Sequence, residues 1–248
     1  MKVVGIIPSR YCSTRFPGKP LAMIKGKTMI RRVCEQAWKS KLDAVVVATD
    51  DIRIADEVLK FGGKYVMTDP RHQSGTDRCS EAVEILEEPY DAVINIQGDE
   101  PFIDPQNIDL LVDMISRDDT QLASLVKRIN DEEELFDSNK VKVVMDKNGN
   151  ALYFSRNPIP YMRNVDREKW LKKGRFFQHL GIYAYKAEAL RQIATMQPTA
   201  LELAESLEQL RWLENGLPIR MAIVETDSNA VDSPADLEKA IAFAKAIE

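Results

Sequence analysis

Three stretches of this chain carry side chains suited to phosphate chemistry. The first is Ser9-Arg10-Tyr11-Cys12-Ser13-Thr14-Arg15-Phe16-Pro17-Gly18-Lys19-Pro20, which follows the apolar run at residues 3–8. Its cations Arg10, Arg15 and Lys19 can neutralise phosphate charge, and backbone N–H groups near Ser13 and Gly18 can line the path of a triphosphate. A solvated basic loop accounts for the same residues about as well. The second stretch is Gln97-Gly98-Asp99-Glu100-Pro101, after the apolar run at 92–96. A carboxylate at the C-terminal end of a buried strand sits where open α/β sheets bind ligands. Asp99 is a natural Mg²⁺ ligand, because Mg²⁺ is usually held by one or two carboxylates plus phosphate oxygens. Gly98 lets the backbone come close to a substrate. The competing account is a Gly-Pro turn with exposed acids. The third stretch is His72-Gln73-Ser74-Gly75-Thr76-Asp77-Arg78, whose turn offers polar and backbone groups to a base edge or a phosphate. A capped loop is the simpler account. Asp232, before Ser233-Pro234, reads alone as a helix cap. Arg156, His179, Tyr183, Glu208 and Gln209 are polar residues in or beside apolar segments. Singly, His179 suits a structural histidine at a strand edge, and Glu208 and Gln209 suit a solvated helix face.

These side chains need a frame. Residues 44–48 are a continuous apolar run of strand length, typical of a strand covered on both faces; 3–8 and 92–96 also read as buried strands, and 65–67 is a shorter strand. Between them, 28–40 and 77–88 have helical spacing, and 52–61 ends at Gly62-Gly63, a helix stop. Asp104-Pro105 supplies a cap and a first-turn proline for a helix to about Arg117. Strands alternating with helices predict βαβ units and a mostly parallel, Rossmann-like α/β sheet. The second half changes character. A strand at 122–129 is followed by a hairpin, 141–145 and 151–154, turning through Asn148-Gly149. Residues 157–177, with two prolines and six basic side chains, read as an insertion or lid that also suits a dimer contact. A strand at 179–185 precedes one helix from Thr199 to Gly216, opened by a Thr199/Glu202 capping box and striped by Leu203, Leu207, Leu210 and Leu213. A last strand at 219–224 and a helix from Ser233-Pro234 complete the chain. No Pro/Gly/Ser-rich linker divides it, so the expectation is one domain over residues 1–248, with about 150–190 as an insertion within it.

Composition narrows the class. The 248 residues are 44% hydrophobic, enough for a sizeable core, and the net charge of −5 argues against general nucleic-acid or membrane-surface binding. Cys12, Cys34 and Cys79 have no metal-like spacing and fit a reducing cytoplasm better than a disulfide framework. No apolar run approaches the roughly 20 residues that span a bilayer, and Lys2 leads into a short strand and a charged loop rather than a secretory signal.

In this order the motifs closely resemble the 3-deoxy-manno-octulosonate cytidylyltransferases, the CMP-Kdo synthetases. The resemblance rests on Ile7-Pro8-Ser9-Arg10-Tyr11 with residues 13–21, Val47-Ala48-Thr49-Asp50, and His72 to Arg78. It continues through Asn95 to Pro101, Tyr153-Phe154-Ser155-Arg156, His179-Leu180-Gly181-Ile182-Tyr183, Glu205-Ser206-Leu207-Glu208-Gln209-Leu210-Arg211 and Val231-Asp232-Ser233-Pro234. The His-Gln-Ser-Gly-Thr and Glu-Gln-Leu-Arg stretches are the most specific. Ser9, Phe16, Ser233 and Ala235 depart from the family's usual Ala, Leu, Thr and Glu, and none removes a charge from the candidate site.

The resemblance implies a nucleotide-diphospho-sugar transferase fold, CTP and Kdo as substrates, and CMP-Kdo plus pyrophosphate as products in lipopolysaccharide synthesis. It implies Arg15 and Lys19 near the leaving group and Asp99 and Asp232 holding Mg²⁺. Arg10, Ser13, Ser74, Gly75, Arg78 and Gln97 would hold the nucleotide; Arg156, His179, Tyr183, Glu208 and Gln209 would bind the sugar acid. It also implies a cytoplasmic homodimer with its contact around 155–190. The same chemistry on 8-amino-Kdo or a sialic acid stays open. A glycosyltransferase is disfavoured by the lack of an Asp-x-Asp pair after the strand at 92–96, and a non-catalytic nucleotide-binding module by the full set of cations and acids.

Overall fold

The computed structural model describes residues 1–12, 16–226 and 230–247. In its first half the chain runs β1 (Val3–Ser9), β2 (Met23–Ile24), β3 (Lys27–Thr28), α1 (Met29–Ala37), β4 (Ala44–Thr49), α2 (Ile52–Lys60), β5 (Lys64–Met67), α3 (Gly75–Ile85), β6 (Ala92–Asn95) and α4 (Pro105–Ile115). It continues with β7 (Leu122–Arg128), α5 (Glu132–Phe136), β8 (Lys142–Met145), β9 (Ala151–Ser155), α6 (Trp170–Lys173), β10 (Phe177–Lys186), α7 (Ala187–Ala194), α8 (Ala200–Glu205), α9 (Gln209–Glu214), β11 (Ile219–Val224) and α10 (Pro234–Ile247).

Seven strands form the main sheet in the order β11-β7-β10-β6-β1-β4-β5. β6, β1, β4 and β5 are mutually parallel, as are β7 and β11, while β10 runs antiparallel to both of its neighbours. The sheet is therefore mixed, with most pairings parallel. After β4 and β5 extend it on one side of β1, the chain returns to add β6 on the other. The strand order thus switches at β1, and a crevice opens there at the carboxyl ends of the strands.

Alternation explains the layers. Val3 and Ile7 of β1 face one core with Ile30 and Val33 of α1, Ile54 and Val58 of α2, and Ile108 and Leu111 of α4. Val4 and Ile6 face the other, with Cys79 and Ala82 of α3, Leu190 of α7, and Leu210 and Trp212 of α9. Each fully buried aliphatic side chain contributes about 1.5–3 kcal/mol by leaving water. A third, smaller cluster joins Ile24 and Met29 to Val231, Ala240 and Ala244, docking α10 beside the loop after β1.

The expected hairpin is β8–β9, and β8 also pairs with β10, which joins it to the sheet. One sequence expectation changes. The single helix expected from 199 to 216 is two, because Ser206 takes a left-handed conformation, φ 52°, between α8 and α9. Glu202 accepts the Thr199 N–H at 3.2 Å, so that half of the capping box is present, but Leu203 is 70% exposed while Leu207 and Leu210 are buried. The break turns the stripe. Arg156 reaches across it, donating to the carbonyls of Glu205 at 2.7 Å and Ser206 at 3.2 Å. Residues 157–176 are irregular apart from a helical turn at Arg167–Lys169 that runs into α6, and Trp170 clusters with Ile129, Leu135 and Phe176. No helix among the described residues is long and apolar enough to cross a membrane.

Candidate active site

The crevice at the switch point is a cavity of about 260 Å³ lined by Ser9, Arg10, Lys19, His72, Gln73, Ser74, Gly75, Arg78, Gln97, Gly98, Asp99 and Asp232, together with Pro8 and Pro20. The end of β1, the start of α3 and the loops after β1, β5, β6 and β11 supply these residues, all at the carboxyl edge of the sheet. All three stretches expected to carry chemistry thus meet. Ser13 and Arg15 lie outside the described residues.

The loop after β1 is tied at its base. The Gly18 N–H donates to the Tyr11 carbonyl at 2.9 Å, and Gly18 has φ +71°, with the Tyr11 ring where a side chain would begin. The Arg53 guanidinium lies 3.3 Å above the same ring and pairs with Asp51. This closure presents Lys19, whose Nζ lies 2.7 Å from Asp99 and 3.4 Å from Asp232. Two carboxylates therefore converge on one positive charge.

Asp232 is not the cap of α10, as its position in sequence had suggested. Ser233 and Asp236 perform that task reciprocally: the Ser233 N–H donates to Asp236 at 3.0 Å and the Asp236 N–H to Ser233 Oγ at 3.3 Å. The Val231 N–H donates to the Asp99 carbonyl at 2.9 Å, holding the start of α10 against the loop after β6. The donor set fits Mg²⁺: two hard oxygen ligands reach one cation, leaving further positions to phosphate and water. Among the described residues no cluster of three or more His, Cys, Asp or Glu exists to form an all-protein metal cage.

Gly98 lines the cavity and also meets backbone: a Cβ there would stand 2.9 Å from the Pro8 carbonyl oxygen, so the glycine allows two backbones to approach. Gly98→Ala is expected to cost about 1–3 kcal/mol by overpacking. That corresponds to roughly 2–4 °C of Tm per kcal/mol in a chain of this size. Unchanged thermal melting would contradict the close approach. Glu100, expected to be exposed in the competing turn account, is buried.

Other residues divide by what they touch. Arg78 lines the cavity, but its guanidinium is buried and donates to Asp50 at 2.9 Å and to Thr68. Ser74 caps α3 by accepting the Asp77 N–H at 3.1 Å. The Gln97 amide donates to the Gly181 carbonyl at 2.7 Å. His72 and Ser9, which sequence reasoning did not single out as site residues, also face the cavity. His72 pairs with Glu81 at 2.6 Å, and Ser9 Oγ is buried without a hydrogen-bond partner among the described residues. The signal for Ser9 was available: a polar residue ending an otherwise apolar strand.

The five residues expected at the sugar do not line this cavity. His179 and Tyr183 lie together on β10, ring centroids 5.2 Å apart, and Tyr183 packs edge-on against Trp212 at 5.0 Å. His179 is buried in an interior strand, not at a sheet edge. Gln209 is also buried rather than on a solvated face, and Glu208 accepts the Thr76 hydroxyl at 3.1 Å. Burial pushes the Glu208 carboxyl up, against the lowering effect of that hydrogen bond. Arg156 stands apart, engaged with backbone carbonyls.

Burial drives the His179 pKa down to about 3, so the ring is neutral in the folded protein. An unfolded histidine titrates near ~6.5. The stability that follows from this difference is present above that value and is lost as pH falls towards about 3. His179→Gln is therefore expected to flatten the decline of Tm over this acid range, and parallel melting curves for both proteins would contradict it.

The chain matches the Cytidylyltransferase family over residues 4–225. It is 53% identical over 247 residues to 3-deoxy-manno-octulosonate cytidylyltransferase of Parabacteroides distasonis, covering 98% of each chain. It is also 53% identical to the protein of that name from Cytophaga hutchinsonii, covering 96% of this chain and 95% of that one. Among solved structures, that of CMP:2-keto-3-deoxy-manno-octonic acid synthetase complexed with CTP superposes with a TM-score of 0.92 at 42% identity, covering 99% of both chains. At such identity over nearly the whole of its length, the chain belongs to the 3-deoxy-manno-octulosonate cytidylyltransferase family.

Proposed function

We propose that this chain, acting as one nucleotidyltransferase domain, transfers the cytidylyl group of CTP to 3-deoxy-manno-octulosonate (Kdo), releasing pyrophosphate and supplying CMP-Kdo for lipopolysaccharide synthesis in the cytoplasm. The observation that carries this reading is the convergence of Lys19, Asp99 and Asp232 in a cavity shared with Arg10 and residues 72–75. Cations suited to a triphosphate and carboxylates suited to a divalent metal meet at one point.

The anomeric hydroxyl of the sugar attacks the α-phosphorus. A new O–P bond forms as the bond to the bridging oxygen of pyrophosphate breaks, and the hydroxyl proton is lost. Both substrates are anions, so Arg10, Arg15 and Lys19 offset the charge that builds on the phosphates. Asp99 and Asp232 would hold Mg²⁺; bound there, it would polarise the α-phosphate and lower the pKa of the attacking hydroxyl. Ser13, Ser74, Gly75 and Gln97 serve the nucleotide, with Arg78 supporting that wall. His179, Tyr183, Glu208 and Gln209 serve the sugar acid, with Arg156 fixing the turn that precedes Glu208. A homodimer would use the segment around 155–190, where Tyr161 is 75% exposed.

The test is pyrophosphate release with CTP and Mg²⁺, offering Kdo, 8-amino-Kdo and N-acetylneuraminic acid in parallel. Release fastest with Kdo is expected. Preference for the amino sugar would overturn the named product while keeping the chemistry, and no release from folded protein would overturn the activity.

A further inference from the structure

Strands β7 and β10 fall out of register at one place. Leu180 lies opposite Leu125 and Tyr183 opposite Ser124, so β10 advances three residues while β7 advances one. Gly181 and Ile182 are the unmatched pair. The consequence is geometric. Residues four apart on a regular strand stand about 13 Å from each other. Here, across the bulge, the His179 and Tyr183 rings are neighbours at 5.2 Å.

The bulge is held from both sides by side chains. From the loop after β6, the Gln97 amide donates to the Gly181 carbonyl at 2.7 Å. From β7, the fully buried Ser124 hydroxyl lies 2.8 Å from the Ile182 carbonyl, 3.2 Å from the Leu180 carbonyl and 3.1 Å from His179 Nε2. A hydroxyl has one proton to give, and carbonyl oxygens only accept. The Ser124 proton therefore goes to the carbonyls, and the contact with His179 is satisfied when the ring donates its own Nε2–H. With Nε2 protonated in a neutral ring, Nδ1 is a bare acceptor, and no described protein group hydrogen-bonds it.

We propose that Ser124 is a positioning residue for the sugar-acid subsite: it holds the β10 bulge and fixes His179 as its Nε2–H tautomer, so that Nδ1 accepts a hydroxyl of the sugar acid. The proposal rests on the reading that places His179 and Tyr183 in that subsite. It adds a division of labour. A lone pair at Nδ1 attracts a hydroxyl and repels a carboxylate, so the acid group of the substrate must be met elsewhere. It also links the two substrates, because Gln97 lines the nucleotide cavity and holds the same bulge.

The chain has two histidines, so ring ¹⁵N spectra of a His72→Gln variant report His179 alone. At neutral pH a protonated Nε2 and an unprotonated Nδ1 are expected. The opposite tautomer, or an averaged pair, overturns the proposal even if no Ser124 variant folds. In Ser124→Ala the two nitrogens are expected to average, with the KM for Kdo rising about tenfold and the KM for CTP unchanged. An unchanged tautomer and unchanged sugar KM overturn the role of Ser124. Averaged nitrogens with unchanged sugar KM in both Ser124→Ala and His179→Ala would instead overturn the subsite reading, and with it the hydroxyl contact.

Discussion

Asp232→Asn is expected to lower pyrophosphate release by on the order of 100-fold or more, while leaving the fold intact. Both halves follow from the surroundings of Asp232. Its side chain is 48% exposed and is not the helix cap, since Ser233 and Asp236 cap α10 between themselves. The substitution therefore removes a charge with little change in shape or packing, and thermal melting should be nearly unchanged. The lost charge is one of two carboxylates converging on the Lys19 ammonium, and an amide oxygen is a poorer ligand for a hard cation. Asp99→Asn should act in the same way and also lose the 2.7 Å pair with Lys19. Its backbone carbonyl, which accepts the Val231 N–H, is untouched. Steady-state release over a Mg²⁺ titration, with Mn²⁺ binding followed by electron paramagnetic resonance, reads both effects. Normal turnover with normal metal dependence in either variant would remove that carboxylate from the metal site.

Lys19→Met is expected to separate two quantities that fall together in the aspartate variants. Turnover with CTP should drop by on the order of 100-fold, because the charge proposed to face the leaving group is lost. Divalent-cation binding without nucleotide should instead become tighter. In the wild type the ammonium sits between Asp99 and Asp232, and a cation must compete with it for the same oxygens. Without it the two carboxylates repel each other and recruit positive charge from solution. Mn²⁺ titration of the nucleotide-free protein measures this directly. Weaker binding in the variant would mean that Lys19 supports the metal site rather than occupying it. Unchanged turnover would return the loop after β1 to an ordinary solvated basic loop.

Much of this molecule could be read along the chain. The apolar runs at 3–8, 44–48 and 92–96 became β1, β4 and β6, buried on both faces, because a strand covered by helices on each side needs no polar alternation. Asn148-Gly149 turned the β8–β9 hairpin, with Gly149 at φ +82°. The helix break at Ser206 was not readable, since Ser206 adopts a conformation that local propensity disfavours and Arg156, 50 residues away, clasps its carbonyl. The bulge at 181–182 was equally hidden. Its cause lies in Ser124 on β7 and Gln97 in the loop after β6, both remote in sequence.

The sequence by itself determined the alternating α/β order and the identity of the cationic loop, the Gln-Gly-Asp turn and the His-Gln-Ser-Gly turn. These depend on burial period, caps and turn chemistry, which are properties of neighbouring residues. The tertiary structure alone decided that Lys19 meets Asp99, 80 residues on, and Asp232, 213 residues on. It alone showed that Ser233 and Asp236, not Asp232, cap α10, and gave Gly98 its task against Pro8. A polar side chain takes the partner that the fold brings within about 3 Å, and that distance is set by the packing of whole elements rather than by the residues on either side.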